Sequence, residues 1–330
     1  MSRDLLENRP LVSILINNFN YAQFLQEAID SAVAQSYPFV EVIVVDDGST
    51  DSSREIINSY KNKIVKVFQS NRGQASAFNT GFAVSQGEII CFLDSDDVFS
   101  RTKLTEIVTI FTNYPQVDWC FHSLNARDKN TGKLLAYSLE SSSRICDFRR
   151  QTKRGSCSFF APATSGLCFK RSLLKQILPM AEELKLGPDR YLVNIAPIIS
   201  PGYFLDRKLA TQGIHGSNVN SLKEGRVFDR KRATRHVVVA YFIRLNFPQF
   251  KRFSNKIFAR GISYDCYGFT VDRILRENKF FQKYLEILSW REKAEIWLIV
   301  FCRILVRQMK TICGRSSLNR EMGLVQIVDG

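Results

Sequence analysis

Apolar and polar positions alternate in blocks through the first hundred residues. Leu11 to Ile16 (LVSILI) is an apolar run that ends in the polar turn Asn17-Asn18-Phe19-Asn20, the pattern of a buried strand running into a loop. Phe24, Leu25, Ala28, Ile29, Ala32 and Val33 recur at helical spacing and predict an amphipathic helix over 22–35. Val42 to Val45 predicts a second buried strand, which stops at Asp46-Asp47-Gly48-Ser49-Thr50-Asp51; a helix over 51–61 follows, with Ser or Asp available as its cap. Ile64 to Phe68 predicts a third strand, 74–86 a helix closed by Gly87, and 88–93 a fourth strand ending in Asp94-Ser95-Asp96-Asp97. Strands alternating with helices in this way imply an α/β fold, a mostly parallel sheet with helices on both faces. The strand-to-helix loops of such a sheet open at its C-terminal edge. Residues 17–21, 46–51 and 94–97 are therefore expected on one rim, where open α/β sheets hold ligands.

Further along, the pattern predicts a helix over 101–113, a strand over 117–124, and a hairpin turn at Asn130-Thr131-Gly132 into a strand over 134–137. Residues 138–158, rich in Ser, Arg and Lys, read as a mobile loop. Helices over 171–178 and near 188–196, and a strand over 203–210, complete a first domain taken as 1–220. From about 226 to 311 the pattern is helical, which defines a second region, 221–330. No run of 18 apolar residues occurs, so no membrane span is expected. Met1 to Pro10 is polar and mixed in charge, unlike a signal peptide, and a cytoplasmic protein is expected. The eight cysteines show no Cys-x-x-Cys pair, and most read as buried thiols of a reducing compartment.

Three carboxylates at the end of one buried strand are the sharpest chemical signal. Asp94, Asp96 and Asp97 repel each other unless a cation joins them, and hard oxygen ligands suit Mg²⁺ or Mn²⁺, often shared with a substrate's phosphates. Asp97, close to the next helix, reads equally as its N-cap, and Asp51 reads as a cap. Asp47 is placed to accept a hydrogen bond from a nucleobase N–H, and Gly48 permits a left-handed or close backbone approach.

The segments VSILINNFNYAQFLQEAIDSAVAQSY, EVIVVDDGSTD, NRGQASAFNTGFAVSQGEIICFLDSDD and ATSGLCFKRS together resemble a family 2 glycosyltransferase of the GT-A fold, over residues 11–110 and more loosely to about 220. The resemblance implies inverting transfer from a nucleotide-diphosphate sugar, most often UDP-linked, with a divalent cation. It implies that Asn17 and Phe19 line the base pocket, that Asp47 contacts the base and that Arg72 lies near the nucleotide. Asp94 and Asp96 would be the metal-binding acid pair, with Asp97 close to the sugar or metal. Asp189 would be the base that takes the acceptor's proton, with Glu182 and Glu183 as fallbacks; its alternative is a charge at a helix start. Relatives often carry an acid just before this position, where this chain has Pro188. His215 would meet the metal or the diphosphate, although Gln212 and Gly213 replace the family's aromatic and basic pair before it. Thr164, Ser165 and Gly166 would face the acceptor. His122 and His236 are read as non-catalytic.

Charge is uneven: residues 221–330 hold 22 Lys and Arg against 10 Asp and Glu, +12 of the total +14. Apolar residues over 284–310 are interleaved with Arg291, Lys293, Arg303, Arg307 and Lys310. Two readings stay open: an interfacial helix on an anionic membrane, or a helix packed on the catalytic domain or on another subunit. A membrane surface would suit a lipid-linked acceptor in bacterial cell-surface glycan assembly; the acceptor is otherwise a saccharide. Nucleic acid is not expected, because no binding motif accompanies the charge. Two other function classes compete. A sugar-phosphate nucleotidyltransferase would want a Gly-rich basic loop where Asn17–Asn20 stands. A non-catalytic sugar-nucleotide-binding scaffold on a membrane would have no need of the DSDD acids together with Asp189.

Overall fold

A computed structural model of the chain describes residues 9–135, 142–155, 161–216, 226–267, 270–271 and 273–312. In chain order the strands and helices begin β1 (Val12–Asn18), α1 (Ala22–Val33), β2 (Val40–Asp46), α2 (Ser53–Ser59), β3 (Val65–Phe68), α3 (Gln74–Val84), β4 (Ile89–Asp94), β5 (Val98–Phe99) and α4 (Lys103–Asn113). They continue with β6 (Trp119–Asp128), β7 (Leu134–Leu135), β8 (Arg144–Cys146), α5 (Arg149–Lys153), a 3₁₀ turn at Thr164–Gly166, β9 (Leu167–Lys170), α6 (Arg171–Ile177), α7 (Pro188–Ile199) and β10 (Gly202–Ile214). The last part holds α8 (Arg226–Asn246), α9 (Lys251–Asp265), β11 (Cys266–Tyr267), β12 (Thr270–Val271), α10 (Arg273–Arg276), α11 (Lys279–Glu286) and α12 (Trp290–Ile312).

The chain divides into two units. The first comprises Met1–Asp147, Pro162–Lys185 and Leu192–Ser217; the second comprises Phe148–Ala161, Leu186–Tyr191 and Asn218–Gly330. The first unit is built on one sheet with strand order β3-β2-β1-β4-β9-β6-β10-β5. Its first half, β3-β2-β1-β4, is wholly parallel, as the alternating pattern requires. Beyond β4 the sheet is mixed: β9 runs antiparallel between β4 and β6, and β5 runs antiparallel along β10.

Alternation along the strands makes two cores. On one face Phe92 of β4 stacks with Phe78 of α3 at 4.6 Å and with Phe169 at 5.9 Å, and Phe169 meets Phe121 at 5.7 Å. The other face buries Ile14, Ile16, Cys91, Leu93, Cys120 and Cys168 with Leu25, Ala28, Ile29 and Leu104 of the helices. Each buried side chain of this size contributes about 1.5–3 kcal/mol, which is what fixes the register and so the rim.

Register carries the site. Asn17 stands opposite Asp94 across β1 and β4, and Asn18 stands opposite Asp46 across β1 and β2, so the ends of three parallel strands are level. Because β9 runs the other way, the turn Thr164–Gly166 that precedes it arrives at that same edge. Antiparallel β5 pairs Val98 with Thr211, which brings Asp97 to Gly213.

Within the expected loop over 138–158 the structure forms β8, paired with β10, and α5; residues 136–141 and 156–160 of that region lie outside the described residues. Backbone pairing with Gly202–Phe204 stabilises β8, only three residues long, Arg-Ile-Cys. In the second unit α8, α9, α11 and α12 form a helical assembly, with a small β11–β12 hairpin interrupting the otherwise helical stretch. Among the described residues no helix is long and apolar enough to cross a membrane.

Candidate active site

The three acids project from the end of β4 and the turn after it. Oxygen atoms of Asp94, Asp96 and Asp97 lie within 4.8 Å of one another. Each carboxylate is held by a different part of the fold. Asp94 Oδ1 accepts from Gln74 Nε2 at 3.2 Å and faces Asn17 Nδ2 at 3.5 Å, and its backbone N–H donates to Ser165 Oγ at 3.1 Å. Asp96 Oδ2 lies 3.0 Å from His215 Nε2. Asp97 accepts from Ser165 Oγ at 2.6 Å on one oxygen and from the Gly213 N–H at 2.9 Å on the other.

Asp97 is therefore not the cap of α4. Short strand β5 intervenes before the helix, and both Asp97 oxygens are engaged elsewhere. Burial pushes its carboxyl well above the ordinary range, and the charges of Asp96 and Asp94 push the same way, against the Ser165 and Gly213 donors. Burial also raises Asp96, opposed by His215 and Lys129. Beneath the turn, the fully buried Lys103 donates to the Ser165 carbonyl at 2.7 Å and sits 3.4 Å over the Phe99 ring. Burial lowers Lys103, while Asp97 is among the groups that raise it. Gly213 has to be glycine here: a Cβ would occupy the space of the Asp96 carbonyl oxygen.

An aromatic wall stands beside the acids. His215 packs against Phe24 at 4.5 Å and Tyr21 at 5.6 Å between ring centroids. The Tyr21 phenol is pushed up to about 12 by burial and then by Asp96, Asp94 and Asp97. The sequence places Tyr21 only on the rim loop 17–21; its ring joins the acids once β1 and β4 are in register. Gln74 is a second such residue: it reads as an ordinary helix start, yet it reaches Asp94.

On the neighbouring rim, Asn18 Nδ2 donates to Asp46 Oδ1 at 2.9 Å and to Ser49 Oγ at 3.1 Å. Asn17 Oδ1 is buried and has no protein partner. Phe19 is exposed. Asp47 accepts from Gln69 Nε2 at 2.6 Å and from the backbone N–H groups of Arg72 at 3.0 Å and Gly73 at 2.7 Å. It thereby clamps the 69–73 segment and keeps one of about four acceptor positions. The turn works only with Gly48, whose φ is +79° and where a Cβ would lie 2.7 Å from the Asn71 nitrogen. Asp51 bonds the N–H of Ser53 at 3.0 Å and that of Ala22 at 2.9 Å, tying the starts of α2 and α1 together. The Arg72 guanidinium pairs with Glu182 at 3.2 Å, and Ser76 Oγ also donates to Glu182, at 3.1 Å.

Thr164, Ser165 and Gly166 are all buried. Ser165 directs its hydroxyl to Asp97 and its carbonyl to Lys103, so the turn lies under the acids. His122 is buried and His236 half-buried, and desolvation lowers both imidazoles well below their ordinary range. Asp189 belongs to the second unit, in the first turn of α7, with Arg190 Nε at 3.7 Å. Burial holds Arg235 below its usual value, as does Arg190, while Asp189 acts in the opposite direction.

The sequence model of glycosyl transferase family 2 matches residues 13–178, half of the chain. The chain belongs to that family. An uncharacterised glycosyltransferase of Nostoc sp. is 34% identical over 214 residues, 63% of this chain and 66% of that protein. The chain spans 40% of the length of further glycosyltransferase relatives from Rickettsia prowazekii and Haemophilus influenzae. Among solved structures, S. aureus TarS 1-349 in complex with UDP-GlcNAc has a TM-score of 0.55 at 17% identity, covering 88% of this chain and 79% of that one. The mannosyltransferase PcManGT of Pyrobaculum calidifontis, in complex with GDP-Man and Mn²⁺, has a TM-score of 0.50 at 16% identity, covering 91% and 88%. At these identities the likeness shows the fold: the family's α/β core, of GT-A type.

Proposed function

We propose that the chain moves a sugar, with inversion, from a nucleotide-diphosphate donor to an acceptor hydroxyl, and that it requires a divalent cation. The acidic corner carries this reading: three carboxylates with oxygens within 4.8 Å, at the C-terminal rim of parallel strands, in a member of this family. Asp94 and Asp96, with His215 beside Asp96, would hold Mn²⁺ or Mg²⁺; oxygen donors and one imidazole suit either ion, and a dication would relieve the repulsion among the acids. When bound, such an ion offsets the charge that develops on the departing diphosphate.

This chain's own residues do the rest. Asn17, with its unpartnered buried oxygen, and exposed Phe19 line the base side, and Asp47 retains an acceptor position for a base N–H. UDP is the favoured nucleotide, in keeping with the UDP-GlcNAc complex of TarS. Arg72 stands on the segment that Asp47 clamps, where release of its guanidinium from Glu182 would free it for the diphosphate. Asp97 fixes the corner through Ser165 and Gly213. Thr164–Gly166 form the floor between donor and acceptor sides. Asp189 would take the proton from the attacking hydroxyl, which inversion requires of a base on the far side of the sugar. The chemistry belongs to residues 1–220, and the acceptor is a saccharide or a lipid-linked glycan of a cell surface.

Purified protein incubated with a panel of nucleotide sugars, with and without Mn²⁺ or Mg²⁺, tests the proposal. Metal-dependent binding or hydrolysis of at least one donor is expected, abolished in Asp96→Ala with the fold retained. Asp189→Ala should keep donor binding and lose transfer. No metal-dependent response to any donor would refute the proposal.

A further inference from the structure

Helix α12 carries two apolar arcs side by side, their centres about 120° apart. It packs on α9 and buries Ile296, Val300 and Ile304. On the neighbouring arc Trp290, Trp297, Leu298, Phe301, Leu305 and Met309 are exposed, Leu298 by 64%. At 100° per residue these six fall on one arc of a helix 23 residues long, beside the arc of the buried triad. A solvated helix would carry charge there. Here Arg291 is the charged residue within the arc, and its guanidinium lies 5.3 Å from the Trp290 ring. Glu295 borders the arc, with Arg291 one turn before it.

From this arrangement we infer that α12 seats the protein on an anionic lipid surface, with its outer apolar arc in the headgroup boundary and the basic region of the chain over it. Two observations choose the occupant together. The arc needs hydrocarbon to cover it, which a nucleic acid does not supply. The +12 carried by residues 221–330 needs negative charge, whereas a second copy of the chain would bring the same positive charge to the contact. An anionic bilayer satisfies both demands. The composition fits as well: Trp at the start of the arc, Leu and Phe in its middle, and Lys310, Arg315 and Arg320 beyond it in sequence. The helix is not apolar enough to cross a membrane, so it lies on the surface. The inference does not rest on the transferase reading, and its assay needs no donor.

The test uses the full chain and vesicles of phosphatidylcholine with or without phosphatidylglycerol, read by flotation. Wild type should float with the anionic vesicles and not with the neutral ones, and high salt should weaken binding through screening. Trp297→Glu/Leu298→Glu changes exposed positions, so melting temperature and elution volume should stay those of wild type. Its partition to anionic vesicles should fall by at least about tenfold, because charge replaces apolar area at the interface. Equal flotation of wild type and the double variant would overturn the inference. Failure of wild type to float at all would overturn it too, as would a dimer by light scattering that the double variant converts to monomer.

Discussion

Removing one oxygen, Ser165→Ala, tests how the acidic corner is held. Ser165 Oγ accepts from the Asp94 N–H at 3.1 Å and donates to Asp97 Oδ2 at 2.6 Å, and the residue is wholly buried. The alanine leaves a buried backbone amide without its acceptor, at a cost of about 1–3 kcal/mol. It also deprives a buried carboxyl of one of two donors, a loss of about 1 kcal/mol if Asp97 is protonated and about 1.5–3 kcal/mol if it is ionised. A single missing oxygen leaves too little room for a replacement water. The Lys103 bond to the Ser165 carbonyl survives, since it uses the backbone. The expected loss is about 2–6 kcal/mol, toward the lower end because burial favours a protonated Asp97. Of the three tryptophans only Trp119 lies in the first unit, and it is fully buried. Urea unfolding followed by Trp119 fluorescence, in a Trp290→Phe/Trp297→Phe background, therefore reads this unit alone. The midpoint should drop with the slope unchanged. A loss below about 1 kcal/mol would show that the turn does not hold the acids, and the account of the corner would fall.

Gly213→Ala forces the backbone of Asp96 to move, because the new Cβ meets its carbonyl oxygen; metal-stimulated donor hydrolysis should drop more than the melting temperature, and unchanged hydrolysis would count against the corner as the site. Gly202→Ala drives a methyl into the Trp119 ring and should destabilise the first unit by more than about 3 kcal/mol in urea, with a smaller loss showing that the strand can shift. Burial alone would raise Glu292, but the Ser289 N–H and Arg244, 2.9 Å away, outweigh it and bring the carboxyl from 4.5 down to about 2. A lowered folded value means this stabilisation is fully present above about pH 4.5 and is lost as pH falls through about 2. The stability gap between wild type and Glu292→Gln should therefore close over that window in acid-titrated urea melts, and a constant gap would remove the ion pair as its cause.

What can be seen in the sequence is what local pattern controls. The Val- and Ile-rich runs ending in Asp46 and Asp94 mark both the parallel strands and the rim, since a chain that turns from continuous apolar residues to acids is leaving the core for water. What cannot be seen comes from chain crossings. Cys168 shows nothing in its neighbourhood to say that it pairs antiparallel with Cys91 on one side and Cys120 on the other, yet that crossing sends Ser165 under the acids. Lys103 reads as an ordinary surface lysine at a helix start and is buried beneath the turn. Asp97 reads as a cap because the short strand β5 has no periodicity to announce it. Strand β8 is hidden because three residues, Arg144-Ile145-Cys146, are too few to show a period and its pairing partner lies some sixty residues away.

The placement of β9 also orders the birth of the site in time. The three acids sit within four residues, but their holders are Ser165, Gly213 and His215, separated from them in sequence by 71, 116 and 119 positions. A chain emerging from the ribosome can close β1 to β4 with local crossovers and bring Gln74 and Asn17 to Asp94, while Asp96 and Asp97 remain unsupported and the acids repel each other. Only after β9 threads between β4 and β6, and β10 follows, does the corner become rigid. Long-range closure of this kind is slow relative to the parallel half. Competence to bind a cation should therefore arrive as the last event of folding in this unit, and a chain truncated before β9 should gain helix and strand without gaining the corner.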